Sequence, residues 1–567
     1  MTSERSSSYR LWRSKAPVRT WSIIGLSVTG LASSAALAIG IILRLRDLLA
    51  DRSLSQDEAQ LALNIINRPF GRLFGQLDFN QAAPEGFLAV QKVVTQALGD
   101  SEYALRLFPF VAGTLALVLI FFLARLVVSP LAVPLSVGLF ALSEPLIAYT
   151  TYNKQYAIDV LMTVVVLLAG FRLNSRPHDR SAGALFAGVG AAAIWLSHAS
   201  VFVLAGASMA FIVSSLAGRQ WRNVLDISVA SVVWLASFAI FAITSLEDVE
   251  GVQRSLSGTP GAFAGSGPTD SEGLRAGIRT SLGAFRYISG IPRFLERGND
   301  DAGEVIALLV AALCIIGLIS ISARGLEKAL ALIAPLGFML IAWGLGQYPL
   351  LGRTQLFLIP IYVLLLGEGL ARVAKTPRRP ATRAATVVGI ALVGAALAAP
   401  AVEHLIRSSR FHEMKPVLEY IAREERPGDT VYVYYTAQPQ LRYYLECGCA
   451  GPRFEAAKKA GLWPLRRGPG GPAQWAPAMT SAPPRLLVGQ HPDFDATSLG
   501  TQFNALRGRP RVWALIPELE ESARIDVLNE LDRAGKRRAT FAVGDVRDFA
   551  SAAVVYLYDM RRSSAPK

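Results

Sequence analysis

Two adjacent acids, Asp57 and Glu58, lie in the segment SLSQDEAQLAL, at the head of an apolar, helix-prone run. A carboxylate at such a place can take a proton as a general base, or it can stabilise the start of a helix through the helix dipole. Neighbouring residues on a helix point about 100° apart, so both acids cannot face one small site unless a metal ion bridges them. At most one of the two is therefore predicted to be catalytic.

The other residues that could form a metal site are scattered along the chain. Asp78 lies in LDFNQAAPEG and His198 in WLSHASV, far in sequence from Asp57. No two of the three have the spacing of metal ligands. The spacing therefore does not support a metal site, and whether the protein needs a divalent metal is left undecided. His198 is predicted to be either a phosphate contact or an ordinary histidine in a turn.

The elements that must position these residues belong to a membrane protein. The chain has 567 residues, of which 52% are hydrophobic and only 18% are charged, and its mean hydropathy is +0.36. Soluble domains carry about 25% charged residues. The net charge of +14 does not indicate a nucleic-acid partner, because many basic residues stand in short runs between apolar stretches.

A membrane-spanning helix needs roughly 20 mostly apolar residues, and the sequence offers about eleven such stretches. They begin near Trp21, Leu105, Leu131, Gln155, Ala182, Ser200, Leu225, Glu304, Ala329, Gln355 and Ala384. Basic residues precede the first stretch and fill every connection from an even-numbered stretch to the next. Short cytoplasmic loops retain Lys and Arg. The N-terminus is therefore predicted to be cytoplasmic and the C-terminus extracytoplasmic, with Asp57 outside.

This orientation divides the chain into two predicted domains. Residues 1–403 form a transmembrane domain with a first outside loop at 44–104 and another at 246–302, which is rich in Gly, Pro and Ser and is either a lid or a plain linker. Residues 404–567 form an extracytoplasmic domain. Strands are predicted at Asp429–Tyr435, Pro484–Gly489, Arg511–Ile516 and Ser551–Met560, with helices between them. This order predicts an α/β fold with a largely parallel sheet.

The first outside loop is predicted to hold two surface helices. Seven apolar residues after the acid pair roughly follow helical spacing: Leu61, Ile65, Ile66, Phe70, Leu73, Phe74 and Leu77. The pattern predicts a helix in the plane of the membrane surface, apolar side down. A second helix is predicted over 84–98, with Pro84 in its first turn.

Several segments, in the same order along the chain, resemble the polytopic GT-C glycosyltransferases. They are SLSQDEAQLALNI, FNQAAPEGFLAVQKV, SEYALRLFPFVAGTLAL, ALSEPLIAYTTYNKQYAIDVL and YPLLGRTQLFLIP. The sequence is similar in particular to bacterial family-39-like members, which are related to the protein mannosyltransferases, the aminoarabinose transferases and the RgtA/B/C/D-like group. The likeness covers the first ten predicted spans and departs from the family at Glu85, where a second proline or an apolar residue is common.

The resemblance implies an enzyme of the bacterial inner membrane that transfers a sugar from a polyprenyl phosphate to a lipid, glycan or protein acceptor. It makes Asp57 the general base, with Glu58 as the second choice. It places Lys154, Arg353 and Arg106 at the donor phosphate, although a cation at the end of a span can also reach the lipid headgroups. Asp78, Tyr152, Tyr156 and His198 become candidates for sugar or acceptor contacts. The two tyrosines fit equally well in an interfacial aromatic belt.

An alternative function remains open on the sequence alone. A transporter or flippase of lipid-linked sugars would use the same membrane architecture without chemistry.

The three cysteines cannot make a disulfide framework. Cys447 and Cys449 are either bonded to each other across one residue, free, or paired with another chain, and Cys314 is predicted only to pack within its span.

Overall fold

The structure is a computed structural model of the whole chain. It describes residues 28–176, 179–256, 300–350, 352–376, 394–395, 399, 401–402, 413–459, 486–489, 496–517, 521–543 and 553–561. The predicted span near Ala384 and most of the predicted loop 246–302 lie outside these residues. So does the predicted domain boundary at 403/404.

The N-terminal part is helical. Its α-helices are α1 (Val28–Leu49), α2 (Gln56–Asn67), α3 (Glu85–Leu98), α4 (Glu102–Val127), α5 (Ala132–Ala141), α6 (Glu144–Thr150), α7 (Tyr156–Ser175), α8 (Arg180–Leu196), α9 (Ser200–Ala217), α10 (Trp221–Leu256), α11 (Asp300–Ser322), α12 (Leu326–Gly344) and α13 (Ile359–Lys375). Short 3-10 helices occupy Phe70–Arg72, Asp78–Asn80 and Gly352–Leu358. The described ends of the loop 246–302 are helical, because α10 continues to Leu256 and α11 begins at Asp300.

The prediction of a multi-pass membrane protein is confirmed. Within the described residues, seven helices are long and apolar enough to cross a membrane, or eight if the bent pair α5 and α6 is one span. The stretches predicted near Ala182 and Glu304 correspond to shorter apolar helices, Arg180–Leu196 and Ala307–Ser322.

The stretch predicted near Leu131 forms a broken helix. Helices α5 and α6 meet at an angle of 52°, and Pro145 lies in the first turn of α6. A break frees backbone carbonyls that need donors inside a membrane. Arg44 of α1, which is fully buried, supplies them: its guanidinium donates to the carbonyl of Ala141 at 3.2 Å and to that of Phe140 at 3.4 Å.

Small residues bring membrane helices close together. Gly317 of α11 lies against the backbone of Leu365 in α13, and Gly369 of α13 lies against the backbone of Leu313 in α11. A Cβ atom at either glycine would overlap with a carbonyl oxygen of the facing helix. Small residues permit this close approach. Because lipid tails are as apolar as the helices, membrane helices associate through such close packing rather than through the hydrophobic effect.

The C-terminal part is an α/β unit. Its elements are α14 (Met414–Glu424), β1 (Thr430–Val433), α15 (Gln438–Cys447), α16 (Pro452–Lys459), β2 (Leu486–Val488), α17 (Ala496–Asn504), β3 (Val512–Pro517), α18 (Glu521–Ala534), β4 (Lys536–Val543) and β5 (Ala553–Asp559). The strand order is β2-β1-β3-β5-β4. β1 pairs with β2 and β3 in parallel, whereas β5 pairs with β3 and β4 in antiparallel fashion.

The four predicted strands are present, but the prediction of a largely parallel sheet was wrong. Strand β4 was not predicted. It begins with three basic residues and lies at the edge of the sheet, with its first residues exposed. Strand β5 pairs with both β3 and β4 in antiparallel fashion, so two of the four strand pairs are antiparallel.

Helix α2 is buried between the two parts of the chain, which corrects the prediction that its apolar side faces the membrane. Leu61 and Ile65 belong to the core of the helical part, whereas Ala59, Ala62 and Leu63 pack in a cluster with residues of α14 and α15. The helix ends at Asn67, before Pro69, so the later apolar residues of the predicted pattern fall in the 3-10 helix Phe70–Arg72 and the irregular segment after it.

Hydrogen bonds from the C-terminal part hold the chain just before α2. The Tyr444 hydroxyl accepts from the Leu54 backbone N–H at 2.8 Å, and Gln440 donates to the Leu54 carbonyl at 3.0 Å. Ser53 donates to the Glu413 carboxylate at 3.1 Å. The α/β unit therefore fixes the entry into α2 and with it the position of the acid pair.

The cysteine alternatives are resolved in favour of a bond across one residue. Cys447 and Cys449 form a disulfide at the C-terminal end of α15, where Gly448 takes a left-handed conformation with φ of 69°. Cys314 carries a free thiol in α11 and packs against the core of the helical part.

Candidate active site

The start of α2 assigns different tasks to the two adjacent acids. Ser55 is the N-cap residue, and its hydroxyl accepts from the backbone N–H of Glu58 at 3.3 Å. The Glu58 carboxylate accepts from the backbone N–H of Ser55 at 3.0 Å. This reciprocal capping box satisfies two otherwise free donors of the helix start. Glu58 therefore caps the helix, and the side chain of Asp57 is directed elsewhere.

Glu58 is also half of a buried ion pair. Arg106 donates to its carboxylate at 3.2 Å, and the two side chains are only 2% and 5% exposed. The same guanidinium donates to the backbone carbonyls of Arg52 at 2.7 Å and Ser53 at 3.1 Å. The backbone N–H of Asn153 donates to Glu58 at 2.9 Å. Glu58 and Arg106 thus connect three segments of the chain and offer little access to a substrate.

Asp57 lies at an open position beside a different arginine. Its carboxylate accepts from Arg353 at 2.5 Å, and the side chains of Asp57 and Arg353 remain 30% and 40% exposed. Arg353 comes from the 3-10 helix Gly352–Leu358 that leads into α13. The structure therefore brings together two predicted site residues that are 296 positions apart in the sequence.

Lys154 lies next to this pair. Its ammonium group donates to the side-chain carbonyl of Gln81, and the Gln81 amide donates to Gln60 at 2.8 Å. Burial lowers the pKa of Lys154 from its usual range to about 8; nearby Asp57 opposes this shift, and Arg353 adds to it. The lysine is thus a cation at neutral pH that titrates just above it.

Three tyrosines surround the cationic group. The rings of Tyr149 and Tyr152 are 5.2 Å apart, those of Tyr149 and Tyr156 are 5.1 Å apart, and all three interact electrostatically with Arg353. The Tyr152 hydroxyl is 2.7 Å from the Ser55 hydroxyl. Burial raises the pKa of Tyr152 well above its usual range, so this phenol stays neutral. Aromatic faces and hydroxyls together can bind a sugar ring.

Asp78 and His198 lie apart from the Asp57–Arg353 pair. The Asp78 carboxylate forms an ion pair with Arg68 at 3.0 Å, and its backbone is held by the amide of Asn64. His198 lies in the turn between α8 and α9, with its ring 5.5 Å from that of Phe241. Burial lowers the pKa of His198 to about 4, so it carries no charge at neutral pH. The contacts described for these two residues involve Arg68, Asn64 and Phe241 and do not include Asp57, Arg353 or Lys154.

Sequence reasoning missed part of the site. Tyr149, Gln60, Gln81 and Ser55 complete it, but only Tyr149 had a usable signal, the recurrence of tyrosine in AYTTYNKQY. Amides and a cap hydroxyl are too common to stand out in one sequence. Among the described residues, no group of three or more His, Cys, Asp or Glu side chains is arranged to hold a metal ion.

Comparisons with known proteins give only distant similarities. No protein-family model and no curated protein matches the chain. Its structure is similar to ArnT from Cupriavidus metallidurans bound to undecaprenyl phosphate, at 14% identity and a TM-score of 0.47, over 94% of this chain and 98% of that one. It is also similar to the oligosaccharyltransferase AglB from Archaeoglobus fulgidus, in complex with an inhibitory peptide and a dolichol-phosphate, at 13% identity and a TM-score of 0.47, over 94% and 75%.

A third similar structure is the arabinofuranosyltransferase AftD from Mycobacteria, at 15% identity and a TM-score of 0.38, over 95% of this chain and 42% of that one.

Proposed function

We propose that this protein is an inverting glycosyltransferase that moves a sugar from a polyprenyl-phosphate donor to a lipid, glycan or protein acceptor. The observation that carries the proposal is the pairing of Asp57 with Arg353 at a solvent-open position, with Lys154 beside them. One carboxylate and two cations converge there from three distant segments of the chain.

The carboxylate provides the base. In the proposed step the hydroxyl oxygen of the acceptor attacks the anomeric carbon of the donor sugar, and Asp57 takes the hydroxyl proton. The bond between the anomeric carbon and the phosphate oxygen breaks in the same displacement. A single displacement inverts the configuration at the anomeric carbon. Glu58 cannot replace Asp57 in this role, because its carboxylate is buried and paired with Arg106.

The cations stabilise the leaving group. The phosphate gains negative charge as the sugar departs, and fixed positive groups at that place lower the barrier. Arg353 bonds Asp57 through one terminal nitrogen, and its guanidinium has five N–H donors in a planar fork. It can therefore hold Asp57 and a phosphate oxygen together. Arg106, the third predicted phosphate contact, becomes a positioning residue because Glu58 and backbone carbonyls occupy its guanidinium.

The surroundings suit a lipid-linked donor. Lys154 precedes the apolar helix α7, and Arg353 precedes α13, so both cations lie at ends of helices apolar enough to cross a membrane. A polyprenyl chain can stay in the bilayer while its phosphate reaches them. In the proposed orientation this end of the bundle faces the extracytoplasmic side of the bacterial inner membrane, as the alternation of basic loops predicts.

The proposal is tested with purified protein in liposomes that contain radiolabelled polyprenyl-phosphate pentoses or hexoses and a cell-envelope extract as acceptor. We expect label to leave the lipid phosphate and enter the extract, and Asp57→Asn to abolish this transfer. The matched control is Asp51→Asn, which changes an acid of the same loop whose side chain is 57% exposed. Undiminished transfer by Asp57→Asn would overturn the assignment. Movement of intact donor between leaflets without any transfer would identify a flippase instead.

A further inference from the structure

A polar cavity lies at the opposite end of α2 from Asp57. It measures about 350 Å³ and is lined by residues of α2 and α3 together with Glu446 and Cys447 of α15. Asp57 is in the first turn of α2 and Asn67 is its last residue, about 15 Å apart along the helix axis. The cavity is therefore separate from the Asp57–Arg353 pair, but the same helix carries both.

The walls of the cavity carry both hydrogen-bond donors and acceptors. Lys92, only 7% exposed, donates to the carbonyls of Ile65 at 2.8 Å and Ile66 at 3.0 Å, and an ammonium has a third N–H. The Asn67 amide donates to Glu446 at 2.8 Å. Thr95 and Gln96 add a hydroxyl and an amide to the lining. Since each sugar hydroxyl both donates and accepts, such a mixture suits a carbohydrate.

The charges of the cavity define the kind of carbohydrate. Lys92 is the basic residue of the lining, and Asp100 and Glu446 are its acids. Glu446 also pairs with Arg442 at 3.0 Å, one turn earlier on α15. With Arg442 counted, the two acids are balanced by two bases, so the cavity has no net positive charge to attract an anionic ligand such as a uronate or a phosphate. Ile66 and the disulfide-bonded Cys447 add apolar groups to the lining, against which the C–H face of a sugar ring can pack.

We propose that this cavity binds a neutral or amino-sugar segment of a glycan. Its volume falls in the lower range of small-molecule pockets, which suits a short saccharide. The assignment of that glycan as the acceptor rests on the proposed function, but the binding itself does not. If the reacting hydroxyl of the acceptor glycan lies at Asp57, a sugar several units further along the same glycan would lie in the cavity.

The experiment measures saccharide binding to the detergent-purified full chain by saturation-transfer NMR, with no donor lipid present. The probes are a neutral glucose disaccharide, the glucosamine disaccharide and a glucuronic acid disaccharide. We expect the first two to bind saturably in the millimolar range and the third at least tenfold more weakly. Gln96→Trp, at an exposed rim position, should abolish binding by filling the cavity, whereas Ala97→Trp, exposed and outside the lining, should leave it unchanged.

Two results would overturn the inference: equal binding by Gln96→Trp and the unchanged chain, or absence of saturable binding by every probe. Preference for the glucuronic acid probe would overturn the charge argument and with it the ligand class. Asp57→Asn should bind the probes like the unchanged chain, so a failure of the saccharide site and a failure of the proposed transferase are read from separate measurements. Unfolding temperatures of the two tryptophan variants check that both fold.

Discussion

The Glu58 carboxylate accepts hydrogen bonds from the buried Arg106 guanidinium at 3.2 Å, whereas the adjacent Asp57 pairs with Arg353 at an open surface. Two acids that are neighbours in sequence thus have different partners and differ in their exposure to solvent. The first pair connects segments of the fold, and the second is accessible to a substrate. This division predicts that replacing the carboxylate by an amide destabilises the protein at Glu58 but not at Asp57.

Glu58→Gln should lower the free energy of unfolding by about 3 kcal/mol or more, because it leaves the Arg106 charge buried without its carboxylate. Asp57→Asn should change the unfolding temperature little, since its side chain is 30% exposed. Thermal unfolding of both variants in one detergent measures the difference. Equal stability of the two proteins would contradict the structural role of Glu58.

This division of the acid pair could be predicted only in part. Helix geometry shows that adjacent acids diverge, and Ser55 with Glu58 has the spacing of a capping box. The partner of Glu58 could not be found, because Arg106 is 48 residues away in sequence and nothing local connects them. For the same reason Arg106, at the end of a predicted span, was predicted to contact the donor phosphate.

The fold was predictable to the extent that hydropathy and turn residues determine it. Apolar stretches identified the membrane helices, and four strands followed from short β-branched and aromatic runs. The position of α2 was not predictable, because an amphipathic helix looks the same whether lipid or another domain covers its apolar side. Ala59, Ala62 and Leu63 pack against the C-terminal part rather than lipid, and only the three-dimensional arrangement shows this.

Donor binding should weaken as the pH rises through about 8, where burial places the pKa of Lys154. Below that pH the lysine is charged and can bind the phosphate of the proposed donor; above it the lysine must first gain a proton. The donor is a phosphodiester that stays anionic over this range, and Tyr152, whose pKa is raised by burial, stays neutral. The dissociation constant should therefore rise about tenfold per pH unit above 8.

Lys154→Arg is the matched control for this pH profile, because arginine stays protonated throughout. Its donor affinity should stay constant between about pH 7 and 9, as measured by titration with a fluorescent polyprenyl-phosphate sugar. The same slope in both proteins would assign the titration to another group.

Arg353→Lys should reduce kcat more than it weakens donor binding. A lysine keeps the charge but loses the planar fork that can hold Asp57 and a phosphate oxygen at once. Loss of one preformed stabilising donor typically costs about 10²–10³ in kcat, and Arg353→Ala should approach the upper end of that range. Steady-state kinetics with varied donor separate kcat from KM. A change in KM alone would restrict Arg353 to ground-state binding of the donor.

Gly317→Ala should destabilise the helical part by about 1–3 kcal/mol, the usual range for inserting a methyl group into a packed interface. The new Cβ would overlap with the Leu365 carbonyl of α13, which is backbone and cannot move aside as a side chain can. Gly337→Ala, in the neighbouring α12, is the matched control, because a Cβ there meets no atom within 4 Å. Its methyl group should cost nothing and should favour the helix slightly. Thermal unfolding and the size-exclusion profile of the two variants test the contrast: equal stability would show that α11 and α13 do not pack through these glycines.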